Sequence, residues 1–183
     1  MKSINLKAVG LALALALPAL SGSAQVMVGG APMYASKDII DNAVNSKDHT
    51  TLVAAVKAAD LVSTLKGAGP FTVFAPTNDA FAALPAGTVE TLLKPENKAT
   101  LSKILTYHVV AGKLDASALK KQITAGGGKA TLTTVAGETL TVTNDQDKLT
   151  VTDSKGGKAR ITIADVTQSN GVILVVDKVL LPA

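Results

Sequence analysis

The polar side chains that could take part in chemistry are few in this chain, and three of them are adjacent. Thr77, Asn78 and Asp79 place a hydroxyl, an amide and a carboxylate side by side, while His49 and His108 are the only histidines. A hydrolytic site needs a nucleophile, a base and an orienting group within hydrogen-bond reach of one another. The chain has no cysteine, which excludes disulfides and thiolate metal sites.

The sequence around these groups does not supply an enzyme motif. It has no Gly-x-Ser-x-Gly elbow and no phosphate-binding Gly-x-x-x-x-Gly-Lys-Ser/Thr loop. Gly126–Gly128 lacks the preceding strand and spacing of a dinucleotide loop, so a loop is predicted there. Asn144–Asp147 has calcium-like oxygens without the required Gly and Glu, and predicts a hairpin turn. Two histidines without a pattern are too few for a zinc site, so we predict no metal. Because the catalytic and phosphate-binding motifs are also missing, we predict no catalysis and no cofactor.

The segment around the three adjacent polar residues predicts a strand that runs into a capped helix. Phe71–Phe74 alternates apolar and polar residues, as a half-buried strand does. Pro76 has no N–H to donate and ends the pairing. The side-chain oxygens of Thr77–Asp79 can then accept from the free N–H groups of a helix that begins here.

His108 continues an apolar helical stripe. Leu101, Ile104 and Leu105 precede it at spacings of seven, four and three residues. We therefore expect a partly covered imidazole at a helix C-terminus. A buried polar group is normally paired, so the ring should bond a nearby backbone group or the corner at Thr77–Asp79.

Three segments of the chain resemble the fasciclin domain family. They are Thr72–Phe81 (TVFAPTNDAF), the pair Tyr107-His108, and Asn170–Leu180 (NGVILVVDKVL). They occur in the family's order and at about its spacing, and the resemblance runs from about Tyr34 to Pro182. It implies the fasciclin fold, a twisted antiparallel β-sandwich with an N-terminal helical layer.

The resemblance also implies roles for individual residues. The family's Tyr-His pair is associated with integrin-dependent adhesion in animal members, and it maps onto Tyr107 and His108. The corner at Thr77, Asn78 and Asp79 is expected to be the partner of His108, which would make both motifs structural. Many members carry a histidine where this chain has Leu174. Any role of that histidine is therefore not carried over.

The order of elements along the chain predicts an α+β fold, because helical patterns come first and short β-branched segments follow. Ser36 and Asp60 are candidate caps of early helices. The predicted helices cover residues 37–45, 50–59, 61–65, 78–84, 88–93 and 96–107. The predicted later strands cover residues 131–135, 139–143, 149–152, 160–163 and 172–176, mostly as an antiparallel meander with one wet face.

The N-terminus predicts export. Residues 1–24 combine Lys2 and Lys7 with an apolar run of about 13 residues and small residues before Gln25, which is typical of a secretory signal peptide and short of the ~20 residues of a membrane span. We expect a flexible lead-in over residues 25–35 and one fasciclin domain over 36–183. Cleavage would lower the net charge from +4 to +2.

These properties lead to a functional prediction without chemistry. The weak and scattered positive charge does not indicate a nucleic-acid partner, and no transmembrane anchor is visible. We expect an exported bacterial protein, periplasmic or extracellular, that recognises a surface protein or glycan in adhesion. The alternatives are a periplasmic carrier of a lipid or sugar and a structural envelope protein. The oligomeric state stays open.

Overall fold

Helices dominate the first half of the domain and strands the second. The computed structural model describes residues 25–183, and the predicted signal peptide lies outside them. In this range the helices are α1 (Ile39–Ala43), α2 (Thr50–Ala58), α3 (Val62–Leu65), α4 (Asn78–Ala82), α5 (Thr88–Leu92), α6 (Lys98–Tyr107) and α7 (Ala116–Ala125), with 3₁₀ turns at Lys47–His49 and Pro95–Asn97. The strands are β1 (Val26–Val28), β2 (Ala31–Met33), β3 (Phe71–Pro76), β4 (Val109–Ala111), β5 (Lys129–Thr133), β6 (Thr139–Asp145), β7 (Lys148–Thr152), β8 (Lys158–Gln168) and β9 (Gly171–Val176). The predicted α+β class is confirmed.

Seven strands form one sheet in the order β4-β3-β9-β8-β7-β6-β5. The eleven-residue strand β8 pairs with β7 through its first residues and with β9 through the rest. A bridge between Val110 and Thr134 brings the two ends of the sheet together, so the sheet is nearly a closed barrel. The pair β3–β9 is parallel, whereas the resemblance implied an antiparallel β-sandwich. The alternation of apolar and polar residues in a strand does not indicate whether it pairs parallel or antiparallel with a strand about a hundred residues away.

The core consists of two apolar clusters on opposite faces of the central strands. Val73 and Ile173 belong to the cluster beneath the helices α1, α2 and α6. Phe74 and Leu174 belong to the second cluster, which fills the space inside β5–β8 and is covered by α7. Because successive residues of a strand point to opposite faces, β3 and β9 contribute to both clusters. Both strands are buried along almost their whole length.

Residues 25–35, for which a flexible lead-in was expected, contain a short hairpin instead. Strands β1 and β2 pair across Gly29 and Gly30, both with positive φ, as a tight hairpin turn requires. Val28 and Met33 are buried in the first cluster. Burial of these side chains gives the segment a fixed place that its composition did not indicate.

Two predicted helix caps differ in the structure. Asp38, not Ser36, caps α1, and its Oδ1 accepts from the N–H of Asp41 at 2.8 Å. Asp60 does not cap α3 but ends α2 in a left-handed conformation with φ of 61°. The N–H of Leu61 then reaches the carbonyl of Val56, which is the six-to-one bond of a Schellman ending.

Candidate functional site

Two of the three residues at the corner after β3 are used for internal bonds. Thr77 caps α4, and its Oγ1 accepts from the N–H of Ala80 at 3.3 Å. Asn78 connects the corner to the start of α2. Its Oδ1 accepts from the N–H of Thr51 at 3.0 Å, and its Nδ2 donates to the carbonyl of Lys47 at 2.7 Å.

Asp79 is exposed in the first turn of α4, where a carboxylate interacts favourably with the helix dipole. No histidine or lysine within residues 25–183 forms an ion pair with it. The corner therefore has the geometry of a helix start, with Thr77 as its cap.

Tyr107 is completely buried at the end of α6. Its hydroxyl donates to the carbonyl of Thr139 at 3.2 Å and accepts from the N–H of Ser154 at 2.9 Å. The phenol thus joins α6 to the start of β6 and to the loop between β7 and β8. Its ring packs edge-on against the imidazole of His108, with centroids 6.5 Å apart.

His108 is 2% exposed and both of its ring nitrogens are bonded. Nδ1 lies 2.8 Å from the carbonyl of Ile104, and Nε2 lies 2.9 Å from the N–H of Leu180. A carbonyl can only accept and an N–H can only donate, so the ring is neutral with its proton on Nδ1. Burial lowers the pKa of His108 to about 4, against the opposing effects of the Ile104 carbonyl and Asp153.

The expectation that Thr77–Asp79 is the partner of His108 is wrong. Strand β4 pairs with the first three residues of β3, whereas the corner follows the other end of β3 and reaches α2. The histidine near the corner is His49, whose Nδ1 lies 2.9 Å from Ser46 Oγ. Burial lowers the pKa of His49 despite the nearby Ala75 carbonyl. That carbonyl does not reach hydrogen-bond geometry, and Nε2 has no partner among the described residues.

Leu174 takes its place in the second apolar cluster and is fully buried. It pairs with Phe74 across the parallel strands. A leucine is suited to this position because its surroundings are apolar. Where many family members carry a histidine, this chain therefore has a leucine that packs in the core.

Several polar residues with fixed positions were not found from the sequence. The buried side chain of Asn170 accepts from the N–H of Ile39 at 3.1 Å and donates to the carbonyls of Leu65 and Gly67. It therefore ties α1 and α3 to the turn between β8 and β9. Its partners lie more than a hundred residues away, so only the family motif around Asn170 could have marked it.

Three backbone N–H groups of the segment 177–183 donate to side chains of the domain. The N–H groups of Leu180, Leu181 and Ala183 donate to His108 Nε2, to Asp153 Oδ2 at 3.0 Å and to Glu138 Oε2 at 2.9 Å. The Ala183 contact and the salt bridge to Lys103 lower the pKa of Glu138. Tyr107 and His108 lie beneath this segment.

The described residues do not group the ligands of a metal ion, and the cavity between the helices and the sheet is small. Residues 25–183 contain no cluster of three or more His, Cys, Asp or Glu side chains suited to a metal ion. A cavity of about 50 Å³ lies between the helices and the sheet, among apolar side chains and beside His49. No helix in the described part of the chain is long and apolar enough to cross a bilayer.

Comparisons with known proteins agree on one family. The family profile described as the Fasciclin domain matches residues 47–182. The chain is 52% identical to the protein sll1483 of Synechocystis sp., over 85% of this chain and 79% of that protein. It is 37% identical to the immunogenic protein MPB70 of Mycobacterium bovis, over 76% of this chain and 66% of that protein.

Two further comparisons concern surface proteins. The chain is 35% identical to the cell surface glycolipoprotein MPB83 of Mycobacterium bovis, over 84% of this chain and 64% of that protein. The chain thus spans about two thirds of the length of these mycobacterial relatives. Its fold matches a FAS1 domain pair from the insect cell adhesion molecule Fasciclin I with a TM-score of 0.69 and 18% identity, covering 79% of this chain and 51% of that one.

Proposed function

Since the chain belongs to the fasciclin domain family, we propose that it is an exported, non-catalytic module that binds a protein or glycan of the cell surface. The observation that carries the proposal is the internal use of four of the five polar family-motif side chains, with only Asp79 exposed among them. Thr77, Asn78, Tyr107 and His108 all make bonds within the domain. What the domain can offer to a partner is its outer surface.

The relatives support a location outside the cytoplasm. MPB83 is a cell surface glycolipoprotein, and the insect protein with the same fold is a cell adhesion molecule. Residues 1–24 would direct export, and the mature chain would begin at Gln25. Fractionation of the source cells followed by N-terminal sequencing tests this step. A full-length protein that stays in the cytoplasm would contradict it.

The carrier alternative is not favoured by the cavity. Pockets that enclose small-molecule ligands measure roughly 300–1,000 Å³. The apolar cavity beside His49 is about 50 Å³. This space is too small for a lipid tail or a sugar ring, so a ligand carried between the helices and the sheet would need a different conformation of the helical layer.

Binding can be tested with residues 25–183 immobilised on a surface. We expect saturable retention of solubilised envelope material, and stronger attachment of source cells than to an albumin-coated surface. The control is the same protein after irreversible heat denaturation, which presents the same composition without the fold. Equal retention by native and denatured protein, or no saturable retention by either, would contradict the proposal.

Deletion of the gene distinguishes a binding module from a structural envelope protein. A binding module predicts that the deletion strain attaches less well and that added native domain competes for attachment. A structural protein predicts altered envelope integrity, with attachment unaffected by added domain.

A further inference from the structure

Strands β5–β8 turn an unusual set of side chains outward. Their inward residues, such as Leu140, Val142 and Val151, are fully buried in the second cluster. The alternate residues point to the opposite face and are exposed or half-buried. We call this outer surface the threonine face, and it comprises Lys129, Thr131, Thr133, Thr139, Thr141, Thr143, Thr150, Thr152, Lys158 and Arg160.

The strand register arranges the threonine face in rows across the sheet. One row runs Lys129–Thr143–Thr150–Arg160. The next runs Thr131–Thr141–Thr152–Lys158. Neighbouring strands lie about 4.8 Å apart, so a four-residue row is roughly 14 Å long, and adjacent rows are about 6.7 Å apart. The first row therefore has a cation at each end and two hydroxyls between them. The second row has a cation only at its β8 end, after three hydroxyls.

The three cations that end these rows have no acidic partner. Within residues 25–183, no carboxylate lies within 4.0 Å of the charged groups of Lys129, Lys158 or Arg160. The carboxylate of Asp177 accepts from the backbone N–H of Arg160 at 2.8 Å but forms no ion pair with its guanidinium. Asp145 lies opposite Lys148 at the end of β6, and the charges of these two side chains cancel, so they do not change the net charge of this surface. The threonine face is thus positive at both edges.

The composition of the threonine face selects among classes of partner. It has no aromatic residue on which a nucleic-acid base could stack, and no large apolar side chain that could enter a membrane. Protein interfaces are centred on buried aromatic and apolar contacts, which this face does not offer. Rows of hydroxyls that end in exposed cations match a ligand that itself carries many hydroxyls and repeated negative charges.

We propose that the threonine face binds an anionic polysaccharide, with carboxylate or sulfate groups at Lys129, Lys158 and Arg160 and sugar hydroxyls on the threonines between them. The inference rests on the proposed function as a surface-binding module and names the partner's chemistry. Binding occurs across the strands, along the rows. It involves no movement of Tyr107 or His108.

The test measures binding of two anionic polysaccharides, dextran sulfate and polygalacturonate, to residues 25–183, with neutral dextran as the reference. We expect saturable binding of both polyanions, weakening with salt, and no binding of dextran. The variant Lys129→Gln/Lys158→Gln/Arg160→Gln should bind at least about tenfold more weakly, since three exposed charge contacts are lost together. Circular dichroism and melting curves verify that this exposed substitution leaves the fold unchanged.

The matched control removes the same charge elsewhere. Lys47→Gln/Lys57→Gln/Lys113→Gln changes three exposed lysines outside the threonine face. It should bind the polysaccharides as the parent does. A second variant, Thr141→Val/Thr150→Val, keeps the β-branched shape and removes two hydroxyls, and should weaken binding without changing its salt dependence.

Four outcomes would overturn the proposal. They are no binding of either polyanion, equal loss in the two triple variants, equal binding of duplex DNA, and no effect of the threonine substitutions. If the face variant still retains envelope material as strongly as the parent, the polysaccharide inference fails while the proposed function stands. If the parent retains no envelope material but binds polyanions through the threonine face, the proposed function fails and the assignment of polysaccharide binding to this face stands.

Discussion

At the scale of single residues, His108 is held so tightly that it has no free atom to offer a partner. Both ring nitrogens are bonded to backbone groups, one on the preceding helical turn and one on the segment 177–183. In this domain the family's Tyr-His pair is therefore part of the core. Any effect of its substitution on adhesion is expected to arise through stability.

Replacement of His108 by Ala should destabilise the fold without changing the binding surface. It removes two hydrogen bonds and leaves the N–H of Leu180 buried without an acceptor, which should cost ~2–4 kcal/mol in the free energy of unfolding. Urea denaturation measures this change. Binding per folded molecule, measured well below the melting temperature, should equal that of the parent. Lost binding at unchanged stability would show that His108 contacts the partner.

The free energy of unfolding should also depend on pH through the titration of His108. The unfolded chain takes up a proton near pH 6.5, whereas the folded chain does so only near pH 4. The unfolded state therefore binds more protons between these values, and the free energy of unfolding falls as the pH is lowered through this window, by up to ~3 kcal/mol.

The measurement is urea denaturation at pH steps from 7.5 to 4, compared with a His108→Gln variant that cannot titrate at this position. The lowered pKa of His49 acts in the same direction in both proteins, so the difference between the two profiles isolates His108. Parallel profiles would contradict a buried neutral imidazole.

At the scale of elements, Asn170 should be the residue on which the position of the early helices depends. Asn170→Ala removes three hydrogen bonds to α1, α3 and the loop after α3. We expect a loss of ~2–4 kcal/mol, because the N–H of Ile39 and the carbonyl of Leu65 lose their partner. Hydrogen exchange should accelerate more in α1 and α3 than in β5–β8.

The control for this experiment is Asn170→Asp, which keeps an acceptor for Ile39 and loses both donors. It should destabilise the fold, while the N–H of Ile39 stays better protected than in the alanine variant. Equal acceleration in every element of both variants would mean that Asn170 has no specific role in placing the helices.

What the sequence can predict about these elements depends on how local their causes are. The strand Phe71–Pro76 and the cap at Thr77 follow from neighbouring residues, and both occur in the structure. The helix α7 was not predicted, although Asp115 caps it and Leu119 and Ile123 are four residues apart on its buried face. Seven of its ten residues, at positions 116, 118–122 and 125, are Ala, Leu, Lys or Gln, which are good helix formers, so its signal was local and present in the sequence.

Non-local causes were out of reach of the sequence. The partner of His108 is Leu180, which is brought near by the path of the chain after β9. The parallel pairing of β3 with β9 likewise depends on the whole topology. For the candidate site, the motifs named the residues Thr77–Asp79, Tyr107 and His108, whereas their hydrogen-bond partners depend on the three-dimensional fold.

At the scale of the whole molecule, the two apolar clusters should unfold together. Strands β3 and β9 send alternate side chains into each cluster. Leu174→Ala creates a cavity in the second cluster and should lower stability by ~2–4 kcal/mol. Calorimetry should show one transition at a lower temperature, with calorimetric and van't Hoff enthalpies still equal.

The matched control is Val135→Ala, at a side chain that is 46% exposed, where the loss should be below ~1 kcal/mol. Two separate transitions in the Leu174→Ala protein would contradict a single cooperative unit. They would indicate instead that the helical layer and the strands β5–β8 are independent.

If the domain attaches to surfaces as proposed, the bonds of the segment 177–183 have a mechanical consequence. Its bonds to Glu138, Asp153 and His108 follow one another along the chain. Tension applied at residue 183 would load these bonds in sequence, as in unzipping, rather than all at once, as in shear. The segment would therefore peel away at low force while the sheet remains folded, and the extra length would absorb part of a sudden pull.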